Sequence, residues 1–379
     1  MSLFFLQNFK SIRTIHLEDC DSLRSIPDMS SLQNLQDFSC SNCDALITFD
    51  DSIGMLGNLK ILKVSCCDDL KYIPLLKLTS LEELTLFHLD SIESLSPMLD
   101  ESLDKLKFLK VSYCNHLMYI PLLKLASLEK LTLSHLDSIE SLSPMLDESL
   151  DKLRFLAVSY CEHLMYIPLL KLASLEELTL SELDSIKSLS PMLDESLDKL
   201  KFLDVKWCKH LMYIPLLKLA SLEELTLSFL SIESLSPMLD ESLDKLKFLE
   251  VSYCEHLMYI PLLKLASLEK LSLWGLSSIE SLSPMLDESL DNLKILEVIH
   301  CIHLIYIPPL KLASLEILDL SYCACLESFP PMVSQSMAKL KILRLKGCKK
   351  LSNIPAINVA SLDEFDHSGC ESLEFSSSD

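Results

Sequence analysis

The chain has 379 residues, of which 49% are hydrophobic and 5 are glycine, and this composition excludes a disordered or collagen-like polypeptide. Its 55 acidic and 33 basic residues give a formal net charge of −22, so we expect no nucleic-acid partner bound through its phosphates. The sequence shows no signal peptide and no uncharged apolar run of about 18 residues. We therefore expect no membrane span and a cytoplasmic location, with the nucleus as the alternative.

The predicted elements are sixteen short strands, one in each of sixteen units that follow one another along residues 1–379. In chain order, the first leucine-type positions of these units are Ile12, Leu35, Leu59, Leu81, Leu106, Leu128, Leu153, Leu175, Leu200, Leu222, Leu246, Leu268, Leu293, Leu315, Leu340 and Leu362. They are spaced by 22 to 25 residues, and a longer period of 47 residues joins a shorter and a longer unit into a pair. We therefore expect a single repetitive domain.

Each unit contains the pattern of a leucine-rich repeat (LRR), in which a short strand leads into a turn and a return segment. Two adjacent units read Leu128-x-x-Leu131-x-Leu133-x-x-Leu136-x-x-Ile139 and Leu153-x-x-Leu156-x-Val158-x-x-Cys161-x-x-Leu164-x-x-Ile167. Stacked units bury one another's apolar sides, so the predicted fold class is α/β, an LRR solenoid shaped like a horseshoe. A parallel β-sheet is expected on its concave face, with short helices and turns on its convex face.

The return segments predict two different structures for the convex side of this solenoid. In the longer unit, Ser96 is a suitable helix N-cap, Pro97 stands in the first turn, and Asp100 and Glu101 lie near the positive helix end. In the shorter unit, Pro121 is incompatible with a helix interior and predicts an extended or turn-like path. On the convex side, wide helical segments and narrow extended segments are therefore expected to alternate.

Side chains alternate along a strand, so the second and fourth strand residues are predicted to be buried and their neighbours to face outward. Copies of the repeat differ mainly at these outward positions, which predicts a protein-binding surface rich in aromatic groups. The predicted binding residues on the concave face are Phe108, Lys110, Tyr113, Phe155, Tyr160, Phe202, Asp204, Trp207, Phe229, Phe248, Glu250, Tyr253, Trp274, Glu297 and His300. For the phenylalanines, packing over neighbouring repeats is an equally good interpretation, whereas partner contact is favoured for the tyrosines and Trp207.

Fourteen cysteines raise the question of a metal or disulfide site. The column from Cys67 to Cys348 recurs every two units, or about 10 Å, which exceeds the Cα separation of about 7 Å that a disulfide spans. Cys40 and Cys43 form a single Cys-x-x-Cys motif, and Cys66 and Cys67 follow one repeat further on, but no histidine stands at ligand spacing. We interpret the cysteines as reduced structural thiols and expect no metal and no cofactor.

The sequence offers no specific catalytic motif. The 5 glycines do not form a phosphate-binding loop, and serine, histidine and aspartate recur as repeat columns rather than as one constellation. The pairing of Cys114 with His116 also repeats along the chain, whereas a catalytic pair occurs once, in a pocket. The sequence therefore predicts a binding protein rather than an enzyme.

The segments Asn8–Leu86 and Ala313–Met332 resemble the LRR region of plant intracellular immune receptors of the TIR-NB-LRR class, especially those of legumes. The pattern that carries the resemblance is L-x-x-L-x-L-x-x-C-x-x-L-x-x-[IF]-P, with cysteine where many other LRRs place asparagine. It implies a surface that recognises a pathogen effector or an effector-modified host protein. It also implies autoinhibitory contact with TIR and nucleotide-binding modules, neither of which is found in this sequence. The alternative is a generic LRR scaffold or the substrate adaptor of a ubiquitin ligase.

Two departures from the family pattern bear on the structure. The longer units carry leucine at the ninth position, as at Leu89, so nearby serine or aspartate side chains are expected to bind the backbone of the turn. The copy at residues 228–235 is one residue short, which predicts a local irregularity. The pattern also stops within a unit after Cys370 without a polar cap, so we expect a fragment or a truncated product.

Overall fold

The structure is a computed structural model that describes most residues between Lys10 and Leu373. The described ranges are 10–75, 78–93, 103–118, 120, 125–140, 142, 150–165, 167, 172–187, 197–212, 214, 219–233, 235, 243–258, 260, 265–282, 290–307, 312–330, 339–354 and 362–373. The helix predicted from Ser96, its equivalents in the other longer units, and the extended path predicted at Pro121 lie outside these ranges.

Contacts divide the chain into two compact units, Met1–Leu197 and Asp198–Asp379, so the expected single domain stays a prediction. The strands of the first unit are β1 (Thr14–Glu18), β2 (Ser25–Ile26), β3 (Asp37–Ser41), β4 (Thr48–Phe49), β5 (Ile61–Ser65), β6 (Glu83–Phe87), β7 (Phe108–Ser112), β8 (Lys130–Ser134), β9 (Phe155–Ser159) and β10 (Glu177–Ser181). Strands β1, β3 and β5 to β10 form a parallel sheet in this order, and the short strands β2 and β4 pair with each other.

The second unit repeats this arrangement. Its strands are β11 (Phe202–Lys206), β12 (Glu224–Ser228), β13 (Phe248–Ser252), β14 (Lys270–Trp274), β15 (Ile295–Ile299), β16 (Ile317–Asp319), β17 (Ile342–Arg344) and β18 (Glu364–Asp366). They also hydrogen bond in chain order into a parallel sheet. Each unit is therefore a parallel-strand LRR solenoid, as the leucine pattern predicts.

The core of each unit consists of the leucine rows of the repeat. Each strand of the two parallel sheets begins two residues after the first leucine-type position of its unit. The second strand residues Leu109, Leu156 and Leu203 are 2%, 0% and 4% exposed, so the expected alternation of buried and outward positions is confirmed. Because the strand leucines and valines lie on this one side, neighbouring repeats complete one another's cores.

An alternating row of charges precedes the strands and links neighbouring repeats. The residue before the strand is basic in most shorter units and acidic in the longer ones, so unlike charges lie side by side. In the second unit, Lys247 pairs with Glu223 at 2.7 Å and Lys294 pairs with Glu269 at 2.6 Å. Exposed ion pairs of this kind contribute little stability individually, and we attribute to their alternation mainly a preference for the correct stacking order.

Serine hydroxyls bind the backbone in several longer units, where leucine replaces cysteine at the ninth position. Ser138 donates to the carbonyl oxygen of Asn115 in the preceding repeat at 2.7 Å, and Ser231 and Ser278 donate to the equivalent carbonyls. These acceptors belong to the preceding cysteine-bearing turns, so side-chain support of the leucine-bearing turns themselves stays a prediction. In the copy that is one residue short, β12 and β13 still pair over all five residues.

One helical segment is present among the described residues, the 3-10 helix Asp51–Met55 of the first unit. The carboxylate of Asp50 caps it by accepting a hydrogen bond from the backbone N–H of Ser52 at 2.9 Å. No helix in the described part of the chain has the length and apolar content that crossing a lipid bilayer requires.

Candidate protein-binding surface

A residue with a positive φ angle lies within three residues after each strand of the two parallel sheets, and we call these residues the edge column. Their φ angles range from 50° to 77°, the left-handed region that costs most L-amino acids about 1–2 kcal/mol. In the first unit the edge column consists of Asp19, Asn42, Cys66, His88, Tyr113, His135, Tyr160 and Glu182. In the second unit it consists of Trp207, Phe229, Tyr253, Gly275, His300, Tyr322, Gly347 and Gly369.

The left-handed turn directs each backbone N–H of the edge column toward the next repeat. The N–H of Tyr113 donates to the carbonyl oxygen of Ser134 at 3.0 Å, and the N–H of Trp207 donates to that of Ser228 at 3.0 Å. Most other members of the column form the same bond. These bonds help to offset the strain of the positive φ angle, and they place equivalent side chains of successive repeats directly beside one another.

In the first unit this geometry stacks Tyr113, His135 and Tyr160, which we call the first ladder. The ring centroid of His135 lies 3.8 Å from that of Tyr113 and 4.3 Å from that of Tyr160, with interplanar angles of 14° and 13°. Phe87 meets Tyr113 edge-on at 5.2 Å. Tyr113 and Tyr160 remain 36% and 46% exposed, so the rings support one another while one side of the stack stays open to solvent.

In the second unit, Trp207, Phe229 and Tyr253 form the second ladder. The centroid of Phe229 lies 3.5 Å from that of Trp207 and 4.6 Å from that of Tyr253, and the planes deviate by 9° and 12°. Gly275 follows in the column, and a Cβ added there would lie 2.8 Å from two carbons of the Tyr253 ring. The glycine therefore leaves the space in which this tyrosine lies over the next turn.

A lateral groove of about 260 Å³ runs beside the second ladder. It is lined by Trp207, Lys209, Phe229, Leu230, Ser231, Tyr253, Glu255 and His256. Its lining thus combines aromatic rings with charged and hydroxyl groups. Such a combination suits a protein side chain that is apolar in its body and polar at its tip.

The first strand position holds phenylalanine in several shorter units and a charged residue in the longer units between them. Phe108, Phe202 and Phe248 are 43%, 36% and 40% exposed, so much of their surface remains open to solvent. Phe155 is half-buried, and the Lys130 ammonium lies 4.0 Å from the centroid of its ring. Packing between neighbouring repeats therefore covers Phe155 further than the other three rings.

The third strand position differs in charge between the two units. In the first unit its charged or titratable members are His16, Lys63 and Lys110, and no acidic residue occupies it in any of the described strands. In the second unit it holds Asp204, Glu250, Glu297, Asp319 and Asp366, with Arg344 among them. Several of these acids are paired. Lys206 lies 2.9 Å from Asp204, and Lys270 lies 3.2 Å from Glu297.

The structure divides the fifteen predicted binding residues between two places. The strand positions that face solvent contain Phe108, Lys110, Phe155, Phe202, Asp204, Phe248, Glu250, Trp274 and Glu297. The edge column, beyond the ends of the strands, contains Tyr113, Tyr160, Trp207, Phe229, Tyr253 and His300. The second group therefore lies along one edge of the sheets rather than on the strands themselves. Partner binding by either group stays a prediction.

Four residues of this surface are absent from the predicted set, although they stand at the variable outward positions of the repeat. His88, His135 and Tyr322 stand at the same eighth repeat position as the predicted members of the edge column, and Phe87 stands one position earlier. A row of exposed methionines stands five residues further along the repeat than the edge column and belongs neither to that column nor to the strands. Its members are Met118, Met165, Met212 and Met258, which are 59% to 66% exposed.

Burial shifts the pKa values of His135 and Cys114 in opposite directions. Burial lowers the pKa of His135, and the nearby Asp137 carboxylate opposes this shift. The Nδ1 atom of His135 is buried and has no hydrogen-bond partner among the described residues. Burial raises the pKa of the Cys114 thiol to about 12, so this group is protonated at neutral pH. It is a buried core thiol, and His116 nearby is exposed, as the repeat pattern predicts.

The estimate of about 10 Å applies to the column from Cys67 to Cys348, whose members stand two repeats apart, but further cysteines occupy the ninth position of adjacent repeats. Cys43 and Cys67 occupy the ninth position of consecutive repeats, and their sulfur atoms lie within 4.8 Å of each other. In the second unit, Cys323 and Cys348 likewise belong to consecutive repeats. Cysteine and leucine therefore alternate at the ninth position only in the middle of the chain, whereas the repeats of Cys43 and Cys323 add cysteines beside the members of the 47-residue column.

No known family model matches the chain, and no curated relative was found. Among solved structures, the chain is similar to an internalin from Listeria monocytogenes, with 15% identity over 89% of this chain and 87% of that one and a TM-score of 0.43. It is also similar to an LRR protein from Leptospira interrogans, with 19% identity, coverage of 88% and 95%, and a TM-score of 0.38. A plant peptide hormone receptor gives 17% identity, coverage of 95% and 78%, and a TM-score of 0.35. The fold assignment rests on the strands and leucine rows of the chain itself.

Proposed function

We propose that the chain is a protein-binding LRR scaffold that contacts its partner through the edge column and the solvent-facing strand positions. The observation that carries this proposal is the second ladder. Three stacked rings stand beside a groove, and Trp207 and Tyr253 are 38% and 42% exposed. Rigid, half-exposed aromatic side chains lose little conformational entropy on binding and are the commonest energetic anchors of protein interfaces.

The backbone supports this role because it holds the rings before any partner arrives. Each ring is fixed by a left-handed turn, by the N–H bond to the next repeat and by its stacked neighbours. A surface organised in advance avoids part of the ordering cost of association. The strand positions beside the ladder add charges of both signs, which suit specificity more than affinity.

The experiment compares three forms of the chain as bait for proteins of a plant extract. The bait forms are the wild type, a Trp207→Ala/Tyr253→Ala variant and a control in which the exposed Met118 and Met212 become alanine. We expect some proteins to be retained by the wild type and by the methionine control but not by the ladder variant. A purified candidate should bind the wild type and the methionine control with similar affinity and the ladder variant more weakly. Identical sets from all three forms would contradict the proposal.

We propose, as the finer function, that this scaffold is the recognition region of a plant intracellular immune receptor. The support is the Cys-type repeat pattern of Asn8–Leu86 and Ala313–Met332, which resembles such receptors. The coding sequence upstream of the chain separates this proposal from its alternatives. TIR and P-loop segments there favour the receptor, an F-box segment favours a ubiquitin-ligase adaptor, and neither favours a generic scaffold.

A further inference from the structure

Cys40 departs from the repeat at a buried position of β3. It is the fourth strand residue and is 1% exposed, whereas the other five-residue strands of the two parallel sheets have leucine or valine there. A thiol fills less volume than leucine, and a smaller side chain in a packed core leaves space that costs stability. Apolar packing alone therefore does not account for a cysteine at this place.

Two further thiols lie against Cys40. Cys43 follows in the same repeat and Cys67 belongs to the next, both at the inward-facing ninth position, and both are 0% exposed. The three sulfur atoms all lie within 4.8 Å of one another. By contrast, Cys161 occupies the same ninth position between repeats that carry Leu136 and Leu183, so it has no thiol in either adjacent turn.

Backbone carbonyl groups hold two of the three thiols in place. The Cys43 thiol donates to the carbonyl oxygen of Ser41 at 3.3 Å, and the Cys67 thiol donates to that of Ser65 at 3.3 Å. The backbone N–H of Cys43 donates to the carbonyl oxygen of Cys66 at 3.1 Å, which ties the two turns together beside the cluster. Such outer hydrogen bonds orient sulfur ligands.

We propose that Cys40, Cys43 and Cys67 bind one thiophilic metal ion through three sulfur ligands. Sulfurs that ligate one ion at about 2.3 Å in a trigonal arrangement lie about 4 Å apart, so shifts of less than about 1 Å close the site. Each thiol transfers its proton to the solvent as the metal–sulfur bond forms. The bound ion ties β3 and its turn to the turn of the next repeat.

The ligand set narrows the choice of metal. Sulfur ligands select Cu⁺ and Zn²⁺, whereas oxygen ligands select Mg²⁺ and Ca²⁺. Among the described residues, no histidine or carboxylate lies with the three thiols so that all the ligand atoms are within 4.8 Å of one another. Zn²⁺ normally takes four ligands, so a three-sulfur site without a further ligand fits Cu⁺ better.

The test is an anaerobic titration of the full chain with Cu⁺ and, separately, with Zn²⁺, each buffered by a competing chelator. The variants are Cys40→Val, Cys67→Ala and two matched controls, Cys161→Ala and Cys323→Val. Cys40→Val introduces the residue that β5 and β7 have at this position, so it should fold at least as well as the wild type. Far-ultraviolet circular dichroism and thermal unfolding verify this without metal.

We expect the wild type and both controls to bind one equivalent that Cys40→Val and Cys67→Ala lack or bind at least about 100-fold more weakly, because loss of a direct ligand exceeds the effect of losing an outer hydrogen bond. The metal should also raise the unfolding midpoint of the wild type and the controls but not that of the two site variants. Absence of binding by the wild type would overturn the proposal. Equal binding by Cys40→Val, or loss in Cys323→Val instead, would place the metal elsewhere and overturn it as well.

Discussion

The two aromatic ladders share one geometry and differ in the ring at their centre. Centroid separations are 3.8 and 4.3 Å in the first ladder and 3.5 and 4.6 Å in the second, with nearly parallel planes in both. His135 and Phe229 stand at the same repeat position, each between two rings from shorter units. The repeat therefore sets the stacking geometry, while one residue sets whether the stack can change its charge.

The strand positions beside the ladders differ in the same way. The third strand position is neutral or basic in the first unit and largely acidic in the second. The leucine rows beneath are nearly identical, so this chemical difference needs no change of fold. An LRR scaffold can thus present unlike surfaces on one backbone, and this property suits the recognition of different partners.

The largest expected effect is the loss of a core leucine, and it should be the same under both ladders. Leu156→Ala in the first unit and Leu203→Ala in the second each remove a strand leucine that is at most 4% exposed. We expect each to lower the free energy of unfolding by about 2 to 5 kcal/mol, measured by chemical denaturation. The half-exposed Thr132→Ala control should stay within about 0.5 kcal/mol. An unchanged melt for either leucine variant would contradict the inward assignment of these rows.

A second prediction concerns the end of the second ladder, where the two ladders differ. Gly275 has a φ of 59°, and an added Cβ would press on the Tyr253 ring, whereas the first ladder is followed by Glu182. Gly275→Ala should destabilise the chain by about 1 to 2 kcal/mol and increase the exposure of Tyr253. Thermal unfolding and tyrosine fluorescence report the two effects. At Gly57, an added Cβ meets no atom within 4 Å, so Gly57→Ala is the control that should leave both signals nearly unchanged.

The leucine rows and the strand positions could be predicted from sequence because burial of every second strand residue depends on spacing alone. The stacked ladders could not be predicted in full. Whether neighbouring rings lie flat on one another depends on the left-handed turn that holds them, and that conformation appears here in residues as different as Asn42, Glu182 and Trp207. Residue type is therefore a poor guide to this turn, although its repeat position is a good one.

The sequence brings Cys40, Cys43 and Cys67 into consideration as a site but does not predict one, for a related reason. Cys40 belongs to a strand position, whereas Cys43 and Cys67 belong to a turn position, so no single column of the repeat contains all three. Only the folded chain brings the two columns together. Sequence periodicity is thus least informative about the surroundings of residues that depart from the repeat.

A third prediction asks which ladder a partner uses. Once a partner is purified, Trp207→Ala and Tyr253→Ala should each weaken its binding by more than about 1 kcal/mol, roughly fivefold in Kd, because each removes an aromatic anchor. Calorimetry with Tyr113→Ala and Tyr160→Ala, the corresponding variants of the first ladder, then shows whether the partner contacts one ladder or both. Wild-type affinity in all four variants would remove the ladders from the interface.

The smallest expected effect is a difference between the two ladders in how their contribution to stability depends on pH. Because burial lowers the pKa of His135 below 6.5, the unfolded chain binds a proton more readily at this residue than the folded chain does. The free energy of unfolding should therefore fall as the pH drops through 6.5 toward the lowered pKa, and this contribution should be fully present only above 6.5.

The central rings can be exchanged to isolate this contribution. His135→Phe gives the first ladder the ring of the second, so its stability relative to the wild type should rise on going from about pH 8 to about pH 5. Phe229→His should show the opposite trend, since it places a titratable ring in an equivalent stack. Parallel pH profiles for the wild type and both variants would mean that the stacked position does not disfavour the protonated imidazole, and the two ladders would then be electrostatically equivalent.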